Sequence, residues 1–511
     1  MKRVSAIHLQ EKYIYFFAFL ASLLLSLWID LRETVINPDG ICYIISAGAV
    51  KSGLQEAMGL CGQAHWPFYS ILLYAFAKLT HLSYIPAAFV LNSLFTLISV
   101  VSFGLIVQEL GGTRKTLCMA LFVILLAHDF NSVREYIIRD HGYWAFYLLS
   151  LLLLLKYFSK PNWVMGLAFS AAILVATLFR IEGVVFLCLL PFTAWFALAQ
   201  PLSRRTISFL NLNILPLSMG VLLLGWLFWH PEALHKLGRV GDLADQIKQG
   251  LSFFTARYEA SRLAFATYAL TTDSAAHAGL ILLLGLTGWY FVCLINSLSF
   301  GYVLLLCYAW RCKIISFKAS SQAVLLSYIV INLLITISFL FQRFFLSKRY
   351  LMALSLVLML YVPFALENLF SKWNEIRYRL IAITCVFFIL LSACGGIFEF
   401  GYSKSFIHDA GDWLAENVPQ KASLYSNDYQ VMFYSKHFGN AVYSEHLIFR
   451  DIGFISNDKW KQYDYLAIRV GHKIESRLLA ALSEIKLTPI NVFRNSRDER
   501  VIIYKNTSAS R

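Results

Sequence analysis

Long apolar runs recur along the whole chain and restrict its fold more than any other feature. They lie near 13–30, 85–108, 116–131, 142–158, 163–179, 183–200, 207–229, 278–310, 321–342, 349–368 and 379–397. Crossing about 30 Å of hydrocarbon takes about 20 apolar residues, and backbone amides there must be satisfied within their own segment, which selects helices. The pattern predicts an all-α polytopic membrane protein with about eleven transmembrane helices. A soluble globule is excluded by 58% hydrophobic residues, 14% charged residues and a mean hydropathy of +0.61. The run 68–79 is too short for a span and reads as a surface helix. Counting it as a span would put Arg114 and Lys115 on the same side as the candidate catalytic acids.

Basic clusters orient the chain. Lys2-Arg3, Arg114-Lys115, Lys156 with Lys160, Arg204-Arg205, Arg311 with Lys313, and Lys372 with Arg377 and Arg379 all fall on one side under this span count. The positive-inside rule makes that side cytoplasmic, the amino terminus included. The net charge of +14 is then topology and attraction to anionic lipid, and no basic-aromatic repeat points to nucleic acid. The first apolar run ends at Trp28-Ile29-Asp30-Leu31-Arg32, which offers no small-residue cleavage site, so it is expected to remain as an anchor. The localisation expected is a bacterial inner membrane.

The opposite, extracytoplasmic face receives residues 31–84, 132–141, the turn Arg180-Ile181-Glu182-Gly183, 230–277, 343–348 and everything after about 398. Residues 1–397 form the membrane domain. Residues 398–511 lose the long runs and read as a small α/β domain, with strands at Ser423-Tyr425, Ala441-Ser444, Tyr465-Val470, Pro489-Phe493 and Arg500-Tyr504. Helical patterns fit Lys404 to Asn417, Tyr429 to Lys436 and Lys473 to Ile485. The loop 230–277 carries Arg239, Asp242, Lys248, Arg257, Glu259 and Arg262, both signs interspersed, as one or two amphipathic helices would.

Two carboxylates stand out. Asp39 follows the first span and Asp140 sits at the mouth of a later one, and acids kept beside lipid usually line a cavity or path. Arg343, Lys348 and Arg349 lie together at the external ends of two consecutive spans, against the general charge bias, where a lipid phosphate needs countercharge. Interfacial anchoring on headgroups is the alternative. Of nine cysteines, only Cys42 and Cys61 share the first external loop, where an oxidising compartment permits a disulfide. No HExxH, phosphate loop, dinucleotide fingerprint or metal-spaced His/Cys cluster occurs, so no firmly bound metal or cofactor is expected.

The segment Asn37-Pro38-Asp39-Gly40 with Tyr43 and Ala47, then His65-Trp66-Pro67-Phe68-Tyr69, resembles the first external loop of GT-C glycosyltransferases. Glu109-Leu110-Gly111-Gly112, Arg134 to Asp140 and Ser347-Lys348-Arg349-Tyr350-Leu351-Met352 extend the resemblance over most of residues 13–400. The chain is similar to the bacterial relatives of protein O-mannosyltransferases and lipid A aminoarabinose transferases. The resemblance implies transfer of a sugar from a polyprenyl-phosphate carrier to a lipid, glycan or protein acceptor, with Asp39 and Asp140 matching the family's first-loop and second-loop acids. Gly40 stands where a second acid is common, and His65-Trp66-Pro67 replaces a commoner His-Pro-Pro; both departures bear on the acceptor.

Such a transfer needs a base for the acceptor proton and cations for the departing phosphate. Asp39 is the expected base, although Pro-Asp-Gly is also ordinary capping and turn chemistry. Asp140 either orients the site or pairs with Arg139. Tyr43, His65, Arg139, Arg180 and Glu182 are candidate substrate contacts; His65 beside Trp66 also suits an interface, and Arg180 with Glu182 also suits a structural pair. A glycan ligase or polymerase using a lipid diphosphate is the competing enzyme. A transporter is disfavoured, because ionisable residues sit mainly at span ends and no internal repeat is visible.

Overall fold

The computed structural model describes residues 2–32, 35–197, 201–230, 243–314, 317–398, 400–437, 459–471, 482 and 487–506. Among these, seven helices are long and apolar enough to cross a bilayer: Glu11–Asp30, Tyr84–Glu109, Asp140–Ser159, Leu202–Trp229, Ala275–Leu298, Ala319–Arg343 and Ile376–Ile397. The pair Lys348–Met359 and Val362–Ser371, bent by 40° near Pro363, makes an eighth if it counts as one span. The other runs of the eleven are helical but shorter: Arg114–Leu125, Trp163–Phe179, and a segment Gly183–Ala197 interrupted at Leu190–Phe192 by Pro191. The run 278–310 breaks at Ser299, whose φ of +66° no α-helix can contain, and resumes as Phe300–Arg311.

Two compact units emerge. The first joins residues 1–27, 92–134 and 139–398; the second joins 28–91, 135–138 and 399–511. In the helical unit the outer faces are apolar, with Leu222, Leu224 and Phe228 exposed along one helix, as lipid contact requires. Polar side chains turn inward and pair: Asn332 Nδ2 donates to Tyr147 Oη at 2.6 Å, and Tyr302 Oη to the Val123 carbonyl at 2.9 Å. Short helices are closed locally, Thr113 and Thr116 forming a capping box and Asn162 Oδ1 capping at Met165 N.

The second unit contains a four-stranded sheet of β1 (Leu424–Ser426), β2 (Tyr465–Val470), β3 (Pro489–Arg494) and β4 (Arg500–Lys505), in the order β1-β2-β4-β3. β1 runs parallel to β2, and the other pairings are antiparallel. Alternation sorts the strands: Ala467, Val501 and Ile503 face the helices Ser405–Asn417 and Tyr429–Ser435, while Leu466, Ile468, Ile502 and Tyr504 pack with Trp460 on the other side. The strand expected at 441–444 and, apart from Leu482, the helix expected at 473–485 lie outside the described residues. Val35 joins the helix-side core, Ile36 N donates to Tyr434 Oη at 2.9 Å, and Gln430 Nε2 donates to Ile36 O at 2.8 Å. The first loop therefore packs with the carboxy-terminal sheet domain, which the sequence reading kept apart from it.

Candidate functional site

In the helical unit Asp140 opens the helix Asp140–Ser159, where the positive end of the helix dipole favours an anion. Its carboxylate is ion-paired with Arg180, which follows the helix Trp163–Phe179 and also holds Glu182, Nη2 to Oε1 at 2.5 Å. Asp140 and Arg180 are both buried. The guanidinium lies 4.8 Å from the Tyr350 ring centre and 5.7 Å from that of Tyr143. Burial works against ionisation of Glu182, but the charge and hydrogen bond of Arg180 prevail and hold its carboxyl at about 2. Asp140 thus pairs with Arg180, forty residues on, and not with the adjacent Arg139. Arg139 is also buried, and its Nη1 meets no hydrogen-bond partner among the described residues.

Arg180, Glu182, Arg349 and Tyr350 border a cavity of about 420 Å³ that continues over Val185, Ile335, Phe339 and Ala353. A polar mouth joined to an apolar wall suits an amphiphile with an anionic head. Of the three cations expected to meet phosphate, Arg349 lines this cavity. Lys348 binds Asp129 at 3.1 Å, and Arg343 is an exposed residue ending the helix Ala319–Arg343, outside the cavity lining.

In the second unit Asp39 is the second residue of the helix Pro38–Ala49. Asn37 occupies the N-cap, with its side chain turned elsewhere: its Oδ1 accepts from Ile137 N at 2.8 Å and its Nδ2 donates to Ile137 O at 3.4 Å. Asp39 is not the capping residue. It is partly exposed, accepts from Gln63 Nε2 at 3.2 Å and lines a pocket of about 580 Å³. Cys42 and Cys61, with Cα atoms 6.0 Å apart, are bonded and tie the Gln63 segment to the Asp39 helix. The far side of the pocket comes from the sheet domain: Asn427, Asp428, Tyr429, Gln430 and Arg469. Tyr43 is buried edge-to-face on Tyr69, ring centres 4.9 Å apart, a packing position, and His65 is exposed beyond the pocket lining.

No protein-family model matches the sequence, and no curated protein does. Solved structures match its fold. ArnT from Cupriavidus metallidurans bound to undecaprenyl phosphate is 14% identical over 96% of this chain and 98% of that one, with a TM-score of 0.52. The archaeal oligosaccharyltransferase AglB from Archaeoglobus fulgidus, in complex with an inhibitory peptide and a dolichol-phosphate, is 11% identical over 90% of this chain and 70% of that one, also at 0.52. The chain has the GT-C fold. A further structure of the Archaeoglobus fulgidus oligosaccharyltransferase, with zinc and sulfate, is 15% identical at a TM-score of 0.49; it covers 80% of this chain, which spans only 55% of its length.

The GT-C fold agrees with the all-α polytopic architecture and small carboxy-terminal α/β domain expected from the sequence. It leaves the roles of individual side chains to their chemistry. Tyr350, Tyr143, Asp129, Gln63, Asp428 and Arg469 joined the clusters without being singled out from the sequence. Tyr350 was within reach, since it adjoins Arg349 in the Ser-Lys-Arg-Tyr motif. Arg469 carried no local signal, because only strand pairing brings it beside residues forty positions earlier.

Proposed function

We propose that this chain is a membrane glycosyltransferase that moves a sugar from a polyprenyl-phosphate-linked donor to a lipid, glycan or protein acceptor on the extracytoplasmic face. Asp39 takes the acceptor hydroxyl proton as that oxygen bonds to the sugar's anomeric carbon. The bond from that carbon to the phosphate oxygen breaks, and its electron pair leaves with the polyprenyl phosphate. Of the three cations read from the sequence, Arg349, which lines the 420 Å³ cavity, is the one proposed to supply countercharge to a lipid phosphate. The observation that carries the reading is the setting of Asp39, partly exposed, hydrogen-bonded to Gln63 and lining a pocket with five other polar side chains, while Asp140 is buried against Arg180. The fold supports it, being shared with a protein solved with undecaprenyl phosphate and one solved with dolichol-phosphate.

The test is transfer in proteoliposomes from a panel of radiolabelled polyprenyl-phosphate monosaccharides, wild type against Asp39→Asn at matched expression. The variant is expected to lose about 100-fold or more, the usual size of a lost general base. Unchanged transfer removes Asp39 from the mechanism. Transfer only from lipid-diphosphate oligosaccharides replaces the reading with a glycan ligase.

A further inference from the structure

We infer that the pocket shared by the first loop and the sheet domain is a carbohydrate subsite, in which Gln63 and Arg469 hold the acceptor as a polyhydroxylated sugar. That the sugar is the acceptor rests on the proposed transferase reading; the binding site stands on its own geometry. Among the described residues the pocket lies wholly within the second unit, and six polar side chains line it: Asp39, Gln63, Asn427, Asp428, Gln430 and Arg469, with Tyr429 as the single aromatic. Carboxylates, amides and a guanidinium are the groups that pair with neighbouring hydroxyls, each able to engage two at once, and an aromatic ring offers a face to the sugar's C–H side. The wall here is more polar than that of the 420 Å³ cavity, which suits a hydroxylated ligand better than an isoprenoid or acyl chain.

The groups are held before any ligand arrives. Asn427 is fixed to the Arg469 backbone by bonds of 2.7 and 2.9 Å, and Asp428 Oδ1 caps the helix Tyr429–Ser435 through Gln430 N and Val431 N. Asp428 Oδ2 and Gln430 Oε1 both accept from Arg469 Nη1, at 2.6 and 3.3 Å. The guanidinium is thereby set in the pocket wall with 22% of its side chain exposed. From the opposite wall the disulfide presents Gln63, which already donates to Asp39. Gln63 is in hydrogen-bond contact with Asp39, so a hydroxyl bound to Gln63 lies beside the proposed base. Preorganised polar groups of this kind favour binding by lowering the ordering cost.

The experiment uses the purified full chain in nanodiscs and a panel of disaccharides, neutral and uronic-acid-containing, read by saturation-transfer NMR and titration. Glycolipids bearing the same termini form a second arm, and acceptor peptides a third. Wild type is expected to bind at least one saccharide, with affinity reduced tenfold or more in both Arg469→Gln and Gln63→Leu. The two variants lie on different walls, so a folding fault in one does not remove the other. Equal binding by free disaccharide and glycolipid assigns recognition to the sugar; binding of the glycolipid alone, of peptides alone, or of no saccharide overturns the inference. If saccharide binds but no donor supports transfer, the transferase reading fails and the subsite stands. If transfer proceeds and neither variant raises the acceptor KM, the subsite fails and the transferase reading stands.

Discussion

Lys348 Nζ lies 3.1 Å from Asp129 Oδ1, and that carboxylate is only 2% exposed. A cation in the first turn of the helix Lys348–Met359 opposes the helix dipole, and the buried acid offsets that cost. His128 Nε2 approaches the same oxygen at 3.5 Å, and its Nδ1 lies 2.9 Å from the Ser392 carbonyl. Lys348 therefore positions the segment that carries Arg349 and Tyr350 into the cavity. Lys348→Met is expected to destabilise the helical unit by about 1–3 kcal/mol, the cost of stranding a buried polar group. Pairing it with Asp129→Asn should recover part of the loss. A double-mutant cycle on thermal inactivation checks this; additive losses would show that the pair is not coupled.

Arg180→Met leaves two carboxylates, Asp140 and Glu182, without their shared cation, and an uncompensated buried charge typically costs about 3–5 kcal/mol. Arg180→Lys should rescue poorly, since one ammonium cannot replace a fork that serves two acids and lies against Tyr350. Heat-induced aggregation in detergent ranks the three proteins: wild type above Lys, Lys above Met.

The Glu182 carboxyl is held at about 2, below its ordinary value of 4.5. A depressed carboxyl contributes stability that is complete above its unfolded value and is lost as pH falls through the folded one. The stability gap between wild type and Glu182→Gln should hold from pH 8 to 5, shrink below 4.5 and close towards 2. A gap that changes between pH 6 and 7 would mean another group controls this turn.

Removing the bond between Cys42 and Cys61 frees a loop of sequence separation 19. The entropy of closing such a loop corresponds to about 3 kcal/mol. Cys42→Ser with Cys61→Ser should make residues 53–66 the first site of limited proteolysis and should reduce transfer by displacing Gln63 from Asp39. Unchanged cleavage would show that the small cluster of Leu60 and Ala64 holds the loop unaided.

The membrane architecture was legible because hydropathy is local: every run read from the sequence is mainly helical where described, and strands β2 to β4 fall within a residue of their expected bounds. Length was less legible, since a single backbone torsion at Ser299 divides a run that composition leaves continuous. Of the site, the Arg180–Glu182 turn was readable as a pair because its members are two residues apart. The Arg180–Asp140 bond was not, nor was the Arg469 wall, because each depends on chain segments forty or more positions apart meeting in the folded protein. In the amphipathic loop 230–277 the described residues hold the helix Leu243–Tyr268, with Arg262 paired to Glu259, and a single 3-10 turn at Ala275–His277; Arg239 and Asp242, and the Lys248 side chain, lie outside the described residues.

The bond from Ile36 to Tyr434 spans 398 residues of sequence. At about 5–20 residues per second of translation, the first loop waits on the order of 20–80 s before the surface that covers Val35 and Ile36 has been synthesised. Nearly the whole helical unit is made during that interval. The nascent chain therefore carries a sticky, half-built pocket through most of its own biogenesis, and a ribosome stalled anywhere before residue 430 leaves the proposed base on an unfinished wall.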